Sequence, residues 1–403
     1  LAVDEDESCE LEMRAEPHPN PAATEDELEI RVTSEIDDIS PQRWDAHLDP
    51  DDLQASHRFV RACQRAGVED AKYRHILIAR GGRTVATASL SCLQVRLDLL
   101  AGPLVRRLVA AARVLSPDLL RIPLVLGGLP VSFGQSCLRV APGEDPGPFL
   151  MHFDAEAERF AAREGAGLIC FKEMSSAEAL IADGLLGLGY FRVPSLPSCQ
   201  LDLPFKDMQA LTDAMRAGYR RQLHHTEREC EERDLVVHRF NDWEALETTL
   251  FGLYERVMDR AEYQMERLNP QFFRELRLAF GAQARVITVE REGGEVLAYA
   301  TMLHGARRST FLIAGINYSD PDGLPAYRRV VMETVADALR AGATTLEMGQ
   351  TSYGTKTRLG ATTTARYLYF RHRHPIFHRL LRSFRGTLFP DRAIAAHHVF
   401  RET

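Results

Sequence analysis

Lysine is scarce in this chain: four (Lys72, Lys172, Lys206, Lys356) stand against 45 arginines. With arginine as the default cation, each lysine stands out. No apolar run approaches the roughly 20 residues that a membrane helix needs, so no membrane insertion is expected. The acidic N-terminus has no apolar h-region and does not read as a signal peptide. The seven cysteines (Cys9, Cys63, Cys92, Cys137, Cys170, Cys199, Cys230) stand singly, without Cys-x-x-Cys spacing. That argues against a zinc ribbon and a disulfide framework, and points to reduced thiols in a cytoplasm. There is no Gly-x-Ser-x-Gly, no His-Glu-x-x-His and no dinucleotide-binding glycine fingerprint. His224-His225, His372-x-His374 and His397-His398 lack partners at metal-ligand spacing, so no metal is expected. Gly349-x4-Gly354-Thr355-Lys356-Thr357 has the outline of a P-loop, but Thr355 separates the glycine from the lysine that must reach the phosphates.

What is present is an ordinary globular composition, 45% apolar and 26% charged over 403 residues. That length predicts two or three domains. Charge is unevenly placed within a net −8. Residues 1–40 carry −12, whereas residues 356–392 hold nine bases and only Asp391. Residues 1–28 read as a solvated acidic tail. The basic end suits either a solvated face or the phosphates of a cofactor, a carrier protein or RNA.

Two stretches are alike. His75–Leu90 and Arg285–Met302 each run β-rich, Gly-Gly, β-rich, with Val85-Ala86 and Leu297-Ala298 at the same place after the turn. Glycine reaches φ > 0 without steric cost, so each reads as a hairpin. Arg163–Cys170 and Arg340–Glu347 also correspond, as a helix ending at glycine followed by a strand. Hairpin, crossover helix and strand, occurring twice, predict two related α/β domains. The remaining pattern predicts a helix over 97–120, strand and turn over Leu124–Val140, and a crossing between domains at Val193–Pro204. Helices are expected at Met208–Asp234, Trp243–Glu262 and Pro270–Phe280, and from Asp322 to Arg340. Strands are expected at Ser309–Gly315 and Thr344–Met348, then a β-like run at 364–371 and a short helix at 375–386.

With this order in hand, the second half resembles the GNAT acyltransferase superfamily, and more narrowly its two-domain branch of Fem-type peptidoglycan aminoacyltransferases and related N-acyltransferases. The carrying features are the Arg-rich stretch Tyr219–Arg228, the hairpin at 285–304 and the ending Glu347–Ala361. The first half resembles a second, degenerate copy that includes Leu126–Phe133. The resemblance implies an α/β fold of α+β type: tandem GNAT-like domains at 29–205 and 206–403, each a mixed, mainly antiparallel sheet flanked by helices. The second domain is expected to carry the active site.

One departure matters. Acyl-CoA users of this superfamily have a glycine-rich loop before the helix that follows the fourth strand, and its N–H groups hold pyrophosphate. Here Asn317–Arg329 has one glycine, Gly323, and two acids, Asp320 and Asp322. The donor is therefore left open among acyl-CoA, an acyl-carrier protein and an aminoacyl-tRNA, with no permanently bound cofactor. The acceptor implied is an amine of a small molecule or of a cell-wall or natural-product precursor. A non-catalytic binding protein of the same fold is the rival reading.

Acyl transfer to an amine needs a proton acceptor, oxyanion donors and an acid for the leaving group. The resemblance places these near Ala314–Tyr318 and Glu347–Lys356. Lys356 is expected to steady the oxyanion or to neutralise donor phosphate. Glu347 is a candidate base and Tyr353 a candidate acid. Asn317, Tyr318, Tyr327 and Gln350 are candidates for substrate contacts, Arg328 and Arg329 for the donor, and Arg260 and Tyr263 for the acceptor wall.

Overall fold

The computed structural model describes residues 27–96, 121–261 and 266–401. The acidic tail, the expected helix at 97–120 and Tyr263 lie outside the described residues, apart from the last two tail positions. Among the described residues, fifteen strands form two sheets: β1 (Leu28–Thr33), β2 (Lys72–Arg80), β3 (Arg83–Arg96), β4 (Arg121–Gly127), β5 (Leu138–Val140), β6 (Leu168–Ser175), β7 (Phe191–Pro194), β8 (Ser198–Asp202), β9 (Leu235–Phe240), β10 (Ala284–Arg291), β11 (Val296–His304), β12 (Arg308–Ile316), β13 (Thr345–Gly349), β14 (Thr362–Thr364) and β15 (Arg366–His372).

The first sheet runs β1-β2-β3-β4-β6-β15-β7, with β5 on β3. The second runs β9-β10-β11-β12-β13-β8-β14. The two orders correspond strand for strand. In each, a single parallel pair, β4 with β6 and β12 with β13, interrupts an antiparallel sheet. The doubled hairpins are present at β2–β3 and β10–β11. Gly81 and Gly82 have φ of 54° and 76°, the double left-handed turn that matches strand twist. The crossover helices follow as expected, at Pro146–Glu164 and Gly323–Arg340. The first begins at Asp145, which accepts the Gly147 N–H, with proline next, and stops at left-handed Gly165; this is proline-in, glycine-out punctuation.

The two sheets exchange strands. β8 leaves the first half of the chain and inserts beside β13 of the second sheet. β15 returns from the second half and inserts between β6 and β7 of the first. A strand on either side of residues 205/206 thus belongs to the other sheet. The expected single helix at Met208–Asp234 is two, Met208–Ala214 and Ala217–Glu231. Met215 between them is fully buried and extended, and it bridges to Phe400; tertiary pairing overrides the helical spacing.

One hydrophobic core spans the halves. Trp44, Phe59 and Tyr73 of the first pack with Trp243, Phe272 and Tyr299 of the second. Phe59 meets Phe272 and Phe280 edge-on. Burying this much aromatic surface fixes how the two halves sit against each other.

Candidate functional site

The parallel pair of the second sheet is short. β12 and β13 are registered only over Arg308–Thr310 against Thr345–Glu347. Further along, β12 carries a bulge opposite Thr301/Met302, and bulges bend the strand that holds them. The strands part, and a cavity of about 250 Å³ opens between Phe311–Ala314 on one side and Met348–Ser352 on the other.

The chain after β13 turns through Gly349, Gln350, Thr351 and Ser352. Thr351 and Ser352 adopt φ of 66° and 48°, a costly conformation for a β-branched residue. The turn feeds the short helix Tyr353–Thr357, which points Lys356 back at the cavity. Lys356 is 4% exposed. Its Nζ donates to the Gln350 carbonyl at 3.1 Å and sits 5.5 Å above the Phe311 ring. Burial pulls its pKa from the ordinary lysine range down to about 8. The amine is therefore mostly charged at neutral pH but gives up its proton readily.

Tyr318 and Tyr327 line the same cavity. Burial raises both phenols, so each keeps its proton as a hydrogen-bond donor. Gln350 also borders it, but its amide is committed, donating to Glu173 at 2.8 Å and to the Leu196 carbonyl at 2.6 Å. Asn317 is 9% exposed, and its side-chain carbonyl accepts from Arg256 and from the Ser319 N–H. Arg260 stacks on Tyr318, 4.2 Å from the ring centre.

Other expected site residues lie apart. Glu347 accepts from Gln135, sits 3.7 Å from Arg308, and lines a separate cavity of about 700 Å³ between the domains. Neighbouring strand residues face opposite ways; Met348 meets the Lys356 cavity and Glu347 the other. Tyr353 donates to the Pro197 carbonyl at 2.8 Å. With Arg328 and Arg358 it lines a third cavity of about 370 Å³, beside the helices Ala217–Glu231 and Gly323–Arg340. Ser352 lines both this cavity and that of Lys356. Arg328 pairs with Glu229 at 2.7 Å and Arg329 with Glu333 at 2.9 Å.

At the start of the helix Gly323–Arg340, where a pyrophosphate cradle would lie, Asp320 and Asp322 are both held by Arg291 at 2.8 Å, and Asp322 also by Arg233. Carboxylates occupy the positive end of the helix. A Cβ on Gly323 would strike the Asn317 carbonyl, so the loop is packed tight against its own backbone.

Residues not singled out in the sequence complete the cavity. Ser132 and Phe133 reach in from the first domain, and Tyr254 and Glu266 from the second. Glu173 lies just behind, holding Gln350. Lysine scarcity marked Lys172, the neighbour of Glu173; nothing in the local sequence marked Glu266.

Residues 217–357 match the family model for the GNAT acetyltransferase domain. The whole arrangement is shared with solved structures. The tandem GNAT protein of the clavulanic acid biosynthesis pathway aligns at a TM-score of 0.52 and 13% identity, over 87% of this chain and 99% of that one. This is a tandem GNAT fold. FemX has it too, at a TM-score of 0.54 and 14% identity, over 85% of this chain and 98% of its own. So does a conserved protein of unknown function from Bacteroides thetaiotaomicron, at 0.50 and 10%, over 85% and 99%. No curated protein matches the chain. The resemblance to the two-domain Fem-type branch of the GNAT superfamily thus holds in fold, and the match to the GNAT acetyltransferase model falls within the second half of the chain. Among the described residues no helix is long and apolar enough to cross a membrane.

Proposed function

We propose that the second GNAT domain is an N-acyltransferase, moving an acyl or aminoacyl group from an activated thioester or ester to an amine inside the Lys356 cavity. The observation that carries this is the pairing of a strand split with a buried ammonium. Lys356 faces the gap between β12 and β13 with one hydrogen bond, to a backbone carbonyl. A charged donor in a water-poor site is worth most where negative charge develops, as on the oxyanion of the tetrahedral intermediate. With its pKa near 8, the same group is matched to protonating a leaving thiolate or alkoxide.

The donor enters past Ser352 from the cavity that holds Arg328 and Arg358. Because Asp320 and Asp322 fill the loop at the helix start, a carrier-protein thioester or an aminoacyl-tRNA is favoured over free CoA. Glu347 and Tyr353 take structural parts in this reading, tying the domains and the turn together. The test is acyl transfer to a panel of primary amines from thioester and aminoacyl-tRNA donors, with wild type and Lys356→Ala side by side. Absence of transfer from every donor class would favour a non-catalytic binding protein.

A further inference from the structure

Strand β15 ends at His372 and leads into the helix Pro375–Ser383. One side of this helix is anchored to the first sheet. Leu381 packs on the cluster around Phe191 and Leu368, and His378 meets the Phe191 ring edge-on at 5.5 Å. The His372 N–H donates to His378 Nδ1 at 3.3 Å. After the turn Arg385–Leu388, Phe389 lies against Phe370, 5.1 Å between ring centres.

The other side is left to water, yet it is rich in large apolar groups. Ile376, Leu380 and Phe384 are spaced by four and so form one stripe, with Phe377 beside it. They are 62%, 48%, 57% and 54% exposed. Single exposed apolar residues are ordinary on a surface; four within nine consecutive positions make a patch. Next to the stripe, Arg379, Arg382 and Arg385 line one open hollow with Ser383 and Gly386, and no carboxylate borders it among the described residues. Arg371 and Arg373, closer to the sheet, are neutralised by Asp154 and Glu158. The three outer arginines have no such acid at hand, because Asp391 is the only one between residues 356 and 392.

We propose that this face docks on an anionic lipid surface. The helix lies in the headgroup layer, its arginines on lipid phosphates and Ile376, Leu380 and Phe384 at the acyl boundary. The two halves of the patch together select this partner. Aliphatic Ile376 and Leu380 gain only by leaving water, and an RNA backbone gives them nowhere to go. A second copy of the same basic face would repel the first. An anionic bilayer supplies phosphate and hydrocarbon side by side. Nine helical residues with three or four apolar anchors give reversible contact with a surface, not a span.

The docking face stands apart from the candidate site. β15 begins at Arg366, which donates to the Gly134 carbonyl at 2.6 Å and borders the cavity between the domains. The helix leaves from the other end of that strand, roughly 20 Å away at ~3.3 Å per residue. Lipid contact there does not depend on the transferase reading and stands or falls by itself.

Flotation of the full chain with vesicles tests it. One set holds phosphatidylcholine and phosphatidylglycerol in equal parts, the other phosphatidylcholine alone. At low salt, wild type should float with the anionic set and stay behind with the neutral one. Changing Arg379, Arg382 and Arg385 together to Gln should weaken partitioning on the order of 100-fold, since each basic residue near such a surface contributes about fivefold. Leu380→Ser combined with Phe384→Ser leaves the charge untouched and should weaken it at least about tenfold. Circular dichroism checks that both variants fold. Failure of wild type to float, or equal flotation with both sets, would overturn the proposal. So would a serine variant that floats as wild type does. If bulk tRNA then displaces the vesicles, the face binds RNA through charge alone. If instead that variant has a lower thermal midpoint, the chain itself covers the stripe.

Discussion

The side-chain amide of Gln350 donates to the Glu173 carboxylate at 2.8 Å. It is a contact between domains, from the turn after β13 to β6 of the other sheet. The same Gln350 accepts Lys356 through its backbone carbonyl. A carboxyl of the first domain thereby braces the turn that holds the second domain's buried amine, so the first domain helps to build the candidate site.

Glu173→Ala should loosen that turn. It leaves the Gln350 amide and the Ser195 hydroxyl without their acceptor, at a cost of about 1–3 kcal/mol. Chemical denaturation measures this. Glu173→Gln keeps an oxygen for Gln350, and Ser195 can reverse its hydroxyl, so stability should be nearly retained. Equal losses in both variants would show that the amide–carboxylate geometry is unimportant.

Lys356 should be a stability liability below pH 8. Its folded pKa, about 8, lies below the unfolded value near 10.4. Between those values the unfolded chain binds more protons, so stability rises with pH across that window and is flat outside it. Lys356→Met should therefore stabilise the protein at pH 7, by up to about 3 kcal/mol. The gain should shrink as pH climbs from 8 towards 10.4. Denaturation midpoints at pH 7 and pH 10 give the comparison. A variant less stable at pH 7 would mean that the buried ammonium is better satisfied than its single hydrogen bond indicates.

Free CoA should bind weakly. Calorimetry is expected to show no low-micromolar affinity, because Asp320 and Asp322, held by Arg291, stand where pyrophosphate would sit. Tight CoA binding that depends on Arg328 would reject this. If aminoacyl-tRNA is the donor, its affinity should fall steeply with salt as phosphate contacts release counterions.

Gly323→Ala should damage the loop before its helix. The new methyl would strike the Asn317 backbone carbonyl, and backbone cannot swing aside as a side chain can. A loss of about 1–3 kcal/mol is expected, read as a lower thermal midpoint. An unchanged midpoint would show that the loop has room to move.

Much of the fold was legible because it is written locally. Gly81-Gly82 and the glycines ending the crossover helices mark turns by their own conformational needs. The strand exchange was not, because residues 198–202 and 366–372 read as strands whichever sheet they join. Partner choice depends on how the shared core around Phe59 and Phe272 seats the halves. Lys356 was legible as a rare lysine after a strand. Glu347 was singled out for the same position, but the alternation of a strand turns it away. Glu173, Glu266 and Ser132 enter the site from other elements, and no local spacing could bring them together.

The most direct measurement is the steady-state kinetics of acyl transfer by Lys356→Ala against wild type. Loss of one oxyanion donor should lower kcat by roughly 10²–10³-fold, with KM for both substrates little changed, since the contact forms mainly in the transition state. Lys356→Arg should recover part of the rate, a planar guanidinium being a poor substitute for a compact ammonium. A raised donor KM with kcat intact would make Lys356 a donor-binding group. A fully active Lys356→Ala enzyme would contradict the assignment of Lys356 to the reaction.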